Sequence, residues 1–287
     1  MKKIFTLLAL TITFSMNAQV STNSTSPTGT YASAMGNGTT ASGNESTAMG
    51  YDTTASGEAS TAMGYSTTSS AQASTAMGYG STASGIRSFA GGLYTVASGG
   101  GSFAFHSGTT ASGTNSTALG RVTVASDYAS TVIGQYNSSG SSATSANSFS
   151  TSAPAFVIGN GTSGSLSDAF KVMFNGDATV SNDLTVSGDV VISSDTRLKS
   201  NIVSLGSTLP KLLQIDGKYY EMKGKQKIGV LAQEIQEVSP ELVSEDDNEM
   251  LAVNYQGLVP VLINALKEQE DKISRLENLV EKLISKK

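Results

Sequence analysis

The sequence has no cysteine, no tryptophan and a single histidine, His106. Without cysteine an exported chain has neither a disulfide staple nor a lipid anchor on a thiol. A lone histidine in a variable turn is typical of a surface residue rather than a metal ligand, so we assign no metal and no other cofactor. Charge is scarce too, and 28 of the 41 charged residues lie in the last 94 positions, which indicates that only the C-terminal part has an ordinary globular surface.

Basic clusters with interleaved aromatic residues are also lacking, and the net charge is −5, so we expect no nucleic-acid partner. The one long apolar run, Ile4–Met16, follows Lys2-Lys3 and precedes Asn17-Ala18-Gln19. This order of charged start, apolar middle and small-residue end predicts a secretory signal peptide at 1–18. We therefore expect a secreted or cell-surface protein with no membrane span in the mature chain.

Residues 31–137 repeat with a period of fourteen. Each unit carries serine, alanine, a larger apolar residue and usually glycine, as in Ser46-Thr47-Ala48-Met49-Gly50. Units of this length suit two short strands and two turns, and stacked units form a parallel β-solenoid. Because side chains alternate along a strand, Ser46 and Ala48 are expected to face a thin interior and Met49 to face outward.

This repeat resembles the head of trimeric autotransporter adhesins, the YadA-like left-handed β-roll, whose units also carry Ser-x-Ala-apolar-Gly. The resemblance implies a homotrimeric, surface-displayed head. An interior of alanine and serine buries little area, so a single roll would be marginal and the outward apolar column offers a surface for packing chains together. That column consists of Met35, Met49, Met63, Met77, Phe105, Leu119 and Ile133. The head's own partner is expected to be a host, matrix or glycan ligand, for which the Ser/Thr/Gly surface supplies no pocket chemistry.

Three further segments flank the head. Residues 19–30 are expected to be a flexible N-terminus, and 138–153, rich in serine, to be a linker or a loosened end of the rod. Residues 154–193 alternate apolar and polar side chains and contain the hairpin signal Asn175-Gly176, which predicts a small β neck. The alternative is an independent β domain.

The run from Ser194 to Lys199 stands where the charged part of the chain begins. A lysine whose pKa is lowered by burial or by a nearby positive charge can take the proton of a serine hydroxyl, which makes Ser194 a candidate nucleophile and Lys199 a candidate base. Residues five apart do not meet on a regular α-helix, so the pair needs an extended or turned backbone. The alternative is that Ser194-Asp195 only cap a helix that begins near Thr196.

The same run and several blocks after it resemble the intramolecular chaperone autoprocessing domain found in endosialidase-type phage tail spikes, bacterial surface fibres and the myelin regulatory factor. The downstream blocks are Asn201-Ile202, Tyr219-Tyr220, Ile228–Ile235, Pro240–Val243, Val253–Tyr255 and Leu258–Pro260. The resemblance covers most of 194–287. It implies a single cut per molecule between Ser193 and Ser194, and thus at most a single-turnover serine peptidase without an external substrate.

Four neighbouring side chains are counted as supporting residues of this site. Arg197 would either keep Lys199 neutral by like-charge repulsion or pair with Asp195. Gln233 and Glu234 lie in one of the blocks that match the family.

The C-terminal domain is expected to combine short strands and a helix with a final coiled coil at 258–287. Strands are predicted at Tyr219–Met222 and Ile228–Leu231, a helix at Ala232–Val238, and a strand pair around the acidic turn Glu245–Glu249. The heptad core positions of the last helix are Val259, Leu262, Leu266, Gln269, Ile273, Leu276, Val280 and Leu283. β-branched residues at a with leucine at d favour two strands.

We favour three strands for this coiled coil, because Leu279 and Ile284 widen the apolar stripe and both resemblances imply trimers. The alternative is a helix that packs on its own domain. Together these features predict a mostly β, exported, homotrimeric, adhesin-like fibre with an α+β chaperone domain that releases itself. Alternatives are a phage tail-fibre-like receptor-binding protein, or a trimerisation cap that does not cleave.

Overall fold

The computed structural model describes residues 22–246 and 249–286. The predicted signal peptide at 1–18, the beginning of the segment 19–30, the tip of the acidic turn and Lys287 lie outside the described residues. The chain divides into two compact units, Met1–Asp189 and Val190–Lys287, and each is described by itself.

The first unit is built from long and short strands that alternate along the chain. One sheet holds β1 (Thr22–Asn23) and the five-residue strands β3 (Ser33–Asn37), β5 (Thr47–Tyr51), β7 (Thr61–Tyr65), β9 (Thr75–Tyr79), β11 (Phe89–Leu93), β13 (Phe103–Ser107), β15 (Thr117–Arg121) and β17 (Thr131–Gln135). The second sheet holds the two-residue strands β2 (Ser26–Pro27), β4 (Thr40–Ala41), β6 (Thr54–Ala55), β8 (Thr68–Ser69), β10 (Thr82–Ala83), β12 (Val96–Ala97), β14 (Thr110–Ala111) and β16 (Val124–Ala125).

Neighbouring strands in both sheets run parallel with a fixed offset of one repeat. Ala48 pairs with Ala34 on one side and with Ala62 on the other, and the short strands follow the same rule. The rings of Tyr51, Tyr65 and Tyr79 stack with centroids 4.9 and 4.8 Å apart, close to the roughly 4.8 Å between neighbouring strands. The parallel β-solenoid predicted from the fourteen-residue period is therefore confirmed.

The interior of the solenoid is made of very small side chains. Ala48 in the long strand and Ala55 in the short strand are fully buried, as are their equivalents in other coils, and Ser46 is buried beside them. Thr47 and Met49 on the opposite side of the same strand keep part of their surface accessible. The inward and outward positions expected from strand alternation are confirmed. At the last coil the column continues with Val132, which is also fully buried.

Glycine closes most units because the backbone there takes a left-handed conformation. Gly64 has a φ of +124°, and a Cβ at this position would lie 2.0 Å from the carbonyl oxygen of Gly78. His106 occupies the equivalent place in its coil with a φ of +95°, and its ring packs against Phe105 with centroids 4.6 Å apart.

We expect Gly64→Ala to destabilise the head by about 3 kcal/mol or more, because the substitution adds backbone strain and a clash that only movement of the next coil relieves. Thermal unfolding of the full chain, followed by circular dichroism, measures the loss. Gly164→Ala is the matched control, since a Cβ at Gly164 meets nothing within 4 Å. Its effect should stay within about 0.5 kcal/mol. Equal unfolding temperatures for the two variants would contradict this account of the glycine column.

The side chains of Asn137, Asp127 and Asp168 hold together the end of the regular repeat and the irregular segment 138–153. Asn137 is buried and takes the place of a further strand, accepting from the backbone N–H of Val124 (2.8 Å) and donating to its carbonyl (2.9 Å). One carboxylate oxygen of the buried Asp127 accepts two backbone N–H groups, of Thr144 and Ser145, both at 2.6 Å. The carboxylate of Asp168 accepts the backbone N–H groups of Ser138 and Ser139 at 2.9 and 2.8 Å.

The long-strand sheet continues into the segment predicted as a neck. Strand β18 (Pro154–Asn160) pairs parallel with β17, so that Val132 lies opposite Val157. Strands β19 (Asp168–Met173) and β20 (Ala178–Val180) then pair antiparallel across the predicted turn Asn175-Gly176, which is confirmed. Residues 181–193 form no strand in the single chain, and the alternating apolar side chains Leu184, Val186, Val190 and Ile192 are exposed. The rest of the described chain therefore leaves these four apolar side chains largely uncovered.

The second unit is a small α+β domain followed by a long helix. Its elements are a 3-10 helix (Thr196–Leu198), α1 (Leu209–Leu212), β21 (Lys218–Met222), β22 (Lys225–Gly229), α2 (Ala232–Val238), a 3-10 turn (Pro240–Leu242), β23 (Val243–Glu245), β24 (Leu251–Val253) and α3 (Leu258–Ile284). Strands β21 and β22 form one antiparallel hairpin and β23 and β24 another. Ile235, Leu242 and Val261 make the buried centre. The predicted strand at Ile228–Leu231 instead begins at Lys225 and ends at Gly229.

Candidate functional site

Ser194 and Lys199 meet across the short 3-10 helix. The chain is extended at Asp195 (φ −63°, ψ 136°) and again at Lys199 (φ −121°, ψ 145°), and the three helical residues between them turn it back on itself. Lys199 Nζ donates a hydrogen bond to Ser194 Oγ at 2.7 Å. The turned backbone that the sequence spacing requires is therefore present, and it brings the candidate base into contact with the candidate nucleophile.

Asp195 holds the turn together and occupies Arg197. Its carboxylate accepts from the backbone N–H of Arg197 at 2.8 Å, which caps the 3-10 helix, and from the guanidinium at 3.0 and 2.7 Å. The guanidinium hydrogen bonds, followed by that backbone bond, hold the pKa of Asp195 below its ordinary value, and the same pair raises the pKa of Arg197. Of the two roles expected for Arg197, the structure has the pairing with Asp195. The N-cap alternative is also present, one residue later than Ser194.

The whole turn is open to solvent in the single chain. Ser193, Ser194 and Lys199 are exposed, and the side chain of Arg197 keeps 87% of its surface accessible. Burial favours the neutral form of a lysine, and only a neutral amine can accept the serine proton. In the lone chain the two side chains are therefore in contact, but the turn that carries them is not buried.

The comparisons with known families fall on the two regions described above. Residues 194–244 match the Peptidase S74 family, described as the chaperone of endosialidase. The YadA head domain repeat matches at 28–53, 41–67, 55–81, 69–95 and 111–137. The chain thus joins a YadA-like head to an endosialidase-type chaperone segment. Both expected resemblances are confirmed, and the stretch between the last two head matches contains the irregular coil with His106. No curated protein gives a match to the chain.

The other two supporting residues of the chaperone segment, Gln233 and Glu234, make their contacts elsewhere. Glu234 on α2 forms an ion pair with Lys218 at 3.1 Å, and Lys218 also pairs with Asp216 at 2.9 Å. Asp216 first and Glu234 second raise the pKa of Lys218. Gln233 lines an open cavity of about 260 Å³ beside Tyr255. Within the described residues, neither Gln233 nor Glu234 hydrogen-bonds to the serine or the lysine of the dyad.

A carboxylate on the last helix was not anticipated from the sequence. Glu268 on α3 accepts from the hydroxyl of Ser207 (2.7 Å), from the backbone N–H of Thr208, and from the backbone N–H of Leu209 (3.1 Å). These bonds satisfy N–H groups at the start of α1 that the helix itself leaves free. The buried hydroxyl of Thr208 donates mainly to the carbonyl of Val261 (2.9 Å), with a longer contact to the Glu268 carboxylate (3.4 Å). Acceptance from Ser207 and then from Thr208 lowers the pKa of Glu268.

Helix α3 presents two different apolar faces. Val261 and Ala265 are buried against the small domain, together with the partly buried Leu258. The heptad core positions lie on another face and are exposed, with Leu266 keeping 72% of its surface accessible and Leu276 61%. Packing on its own domain and offering a coiled-coil seam are therefore compatible for this helix. Within the described residues no helix has the length and apolarity needed to cross a membrane.

We expect the stability of the second unit to fall in acid through Glu268. Its pKa is lowered on folding, so its contribution is complete at neutral pH, begins to fade below the unfolded value of about 4.3, and is gone once the pH passes the lowered pKa. Hydrogen exchange at residues 207–212 of the full chain, compared between wild type and Glu268→Gln, measures this. The difference should be large at neutral pH and shrink in acid. Glu281→Gln, on the exposed surface of the same helix, should match wild type throughout, and a pH-independent difference would refute the assignment.

Proposed function

We propose that this chain is an exported, homotrimeric, adhesin-like fibre whose C-terminal domain is an intramolecular trimerisation chaperone that releases itself by cutting between Ser193 and Ser194. The observation that carries the proposal is the hydrogen bond of 2.7 Å between Lys199 Nζ and Ser194 Oγ, formed within the segment that matches the chaperone family. The YadA-like head supports the fibre and its display outside the cell.

The chemistry of the cut follows from the position of the nucleophile. Ser194 supplies both the attacking hydroxyl and the leaving nitrogen of the bond after Ser193. When Lys199 takes the hydroxyl proton, Oγ attacks the Ser193 carbonyl carbon, the C–N bond breaks, and the nitrogen leaves protonated as a free α-amine. The product of this step is an ester between the Ser193 acyl group and Ser194 Oγ. One water molecule then hydrolyses the ester, so the net reaction is the hydrolysis of a single peptide bond.

In this proposal, assembly of three chains is the step that supplies a neutral lysine. Arg197 forms an ion pair with Asp195. Its positive charge therefore repels a protonated Lys199 less strongly and does less to keep that lysine uncharged. Burial is the other way to keep Lys199 uncharged, and the exposed turn becomes buried only when another surface covers it. A cut that waits for assembly is useful to the fibre, because the chaperone then stays attached until the heads are in register.

The exposed seam of α3 supports the homotrimer. Seven apolar side chains at a and d positions, together with Leu279 and Ile284, are left accessible on one helix. Each leucine that becomes fully buried contributes about 2 kcal/mol, so three such helices have a large driving force for association. The head needs this help, since its thin alanine interior gives each coil little burial before its neighbours stack. A trimeric clamp removes much of the entropy cost of finding register.

The test is the mass of the purified chain, expressed from Gln19 onward, under denaturing and native conditions. We expect two fragments that meet between Ser193 and Ser194, and a native mass of three copies before the chaperone dissociates. An assembled trimer in which the chain remains whole would overturn self-cleavage and leave the C-terminal domain as a trimerisation cap. A cut chain that is monomeric throughout would overturn the link between assembly and cleavage.

A further inference from the structure

The turn that carries the dyad is joined to the rest of the second unit by an exposed segment, residues 200–206, which we call the tether. Residues 200–206 follow Lys199, are all exposed, and form no helix or strand. Within this described stretch the hydrogen bonding is local, from the backbone N–H of Gly206 to Ser204 Oγ at 3.3 Å. The first attachment to the folded part of the second unit comes at Ser207, Thr208 and Leu209. All three donate to the carboxylate of Glu268.

The attachment point lies on the helix that carries the exposed heptad seam. Thr208 and Leu209 are 4% and 7% accessible, so the end of the tether is buried while the tether itself is not. Thr208 makes no side-chain cap on α1, and its hydroxyl is used by the Val261 carbonyl of α3. The N-terminus of α1 is thus capped by a residue about sixty positions away, which ties the tether to α3 at two points.

We infer that Glu268 is a positioning residue for the self-cleavage, and that it acts by fixing the downstream end of the dyad tether to the assembling helix. This inference rests on the proposed function. A tether of seven residues reaches at most about 25 Å. With its end fixed by Glu268, the assembly of α3 therefore confines Ser194 and Lys199 to a limited volume. Without the hydrogen bonds to Glu268 the tether lengthens, and the dyad spends less time where a neighbouring surface buries it.

The experiment follows the appearance of the fragment ending at Ser193 over time in the full chain, together with its native mass. Wild type is compared with Glu268→Gln and with Glu281→Gln, a matched change on the same helix. We expect Glu268→Gln to assemble and to cut about tenfold more slowly, with faster hydrogen exchange at residues 207–212, whereas Glu281→Gln behaves as wild type. A wild-type rate in assembled Glu268→Gln overturns the inference.

A second variant separates positioning from folding. Four glycine and serine residues inserted after Ile202 lengthen the tether and leave Glu268, α1 and α3 unchanged, and such insertions in exposed loops cost little stability. We expect this variant to form trimers and to cut more slowly, with normal exchange at residues 207–212. An unchanged rate overturns the inference, including when Glu268→Gln fails to assemble. A wild-type trimer that never cuts refutes the proposed function and this inference together, whereas a cutting wild type with unaffected variants refutes the inference alone.

Discussion

Ser194→Ala is expected to leave every chain whole, and Lys199→Ala to slow the cut by about a hundred- to ten-thousandfold. The alanine at 194 removes the hydroxyl that attacks the Ser193 carbonyl in the proposed cut. The alanine at 199 leaves the hydroxyl but removes the group 2.7 Å from it that can take its proton. Denaturing mass spectrometry of the purified full chain reads both effects directly, since wild type should give two fragments and each variant one intact mass.

Two substitutions outside the dyad serve as controls for these variants. Ser200→Ala changes an exposed serine just beyond the turn, and Lys211→Ala removes an exposed lysine from α1. Both should cut as wild type does. All four variants should assemble, because none of them changes the exposed seam of α3. A Lys199→Ala chain that cuts at the wild-type rate would remove the lysine from the mechanism. Loss of cutting in Ser200→Ala would indicate that the turn tolerates no change at all.

Features set by local repetition or by spacing could be read from the sequence. The solenoid follows from the period because each Ala48-type position repeats the same buried strand environment. The five-residue spacing excludes a regular helix between Ser194 and Lys199, and the contact itself is expected from the family resemblance of the run. The β19–β20 hairpin follows from Asn175-Gly176, whose glycine has the positive φ that the turn requires.

Features that depend on distant partners could not be read in the same way. Glu268 occupies an outer heptad position, where a glutamate is ordinary, and its role appears only when folding brings Thr208 to it. Asp127 and Asn137 look like breaks in the repeat. Asp127 acts as a cap because the segment 138–153 folds back to it, and Asn137 pairs with the backbone of Val124. The start of β22 at Lys225 was missed because the two-residue turn Lys223-Gly224, with φ values of +52° and +71°, sets the register of that hairpin. Gly224 was the available signal.

Replacing Ile273 and Leu276 together by glutamate is expected to abolish both trimer assembly and cleavage. The two side chains occupy successive a and d positions of α3 and are 41% and 61% accessible in the single chain. In a three-stranded seam the change places six carboxylates where six apolar side chains would be buried. Each substitution forfeits about 2 kcal/mol of burial and adds the cost of an unpaired buried charge. Native mass spectrometry measures assembly, and the intact denatured mass measures cleavage.

Ser274→Glu with Asn278→Glu is the matched control, because it adds the same two charges on the outer side of the same helical turns. This variant should remain trimeric and should cut normally. The pairing of the two readouts tests the order of events, because a dyad that needs burial by neighbours loses its activity with the seam. Monomers of the Ile273→Glu, Leu276→Glu variant that still cut at the wild-type rate would show that one chain suffices for the reaction. The 3-10 turn would then itself have to keep Lys199 neutral, and cleavage would precede assembly rather than follow it.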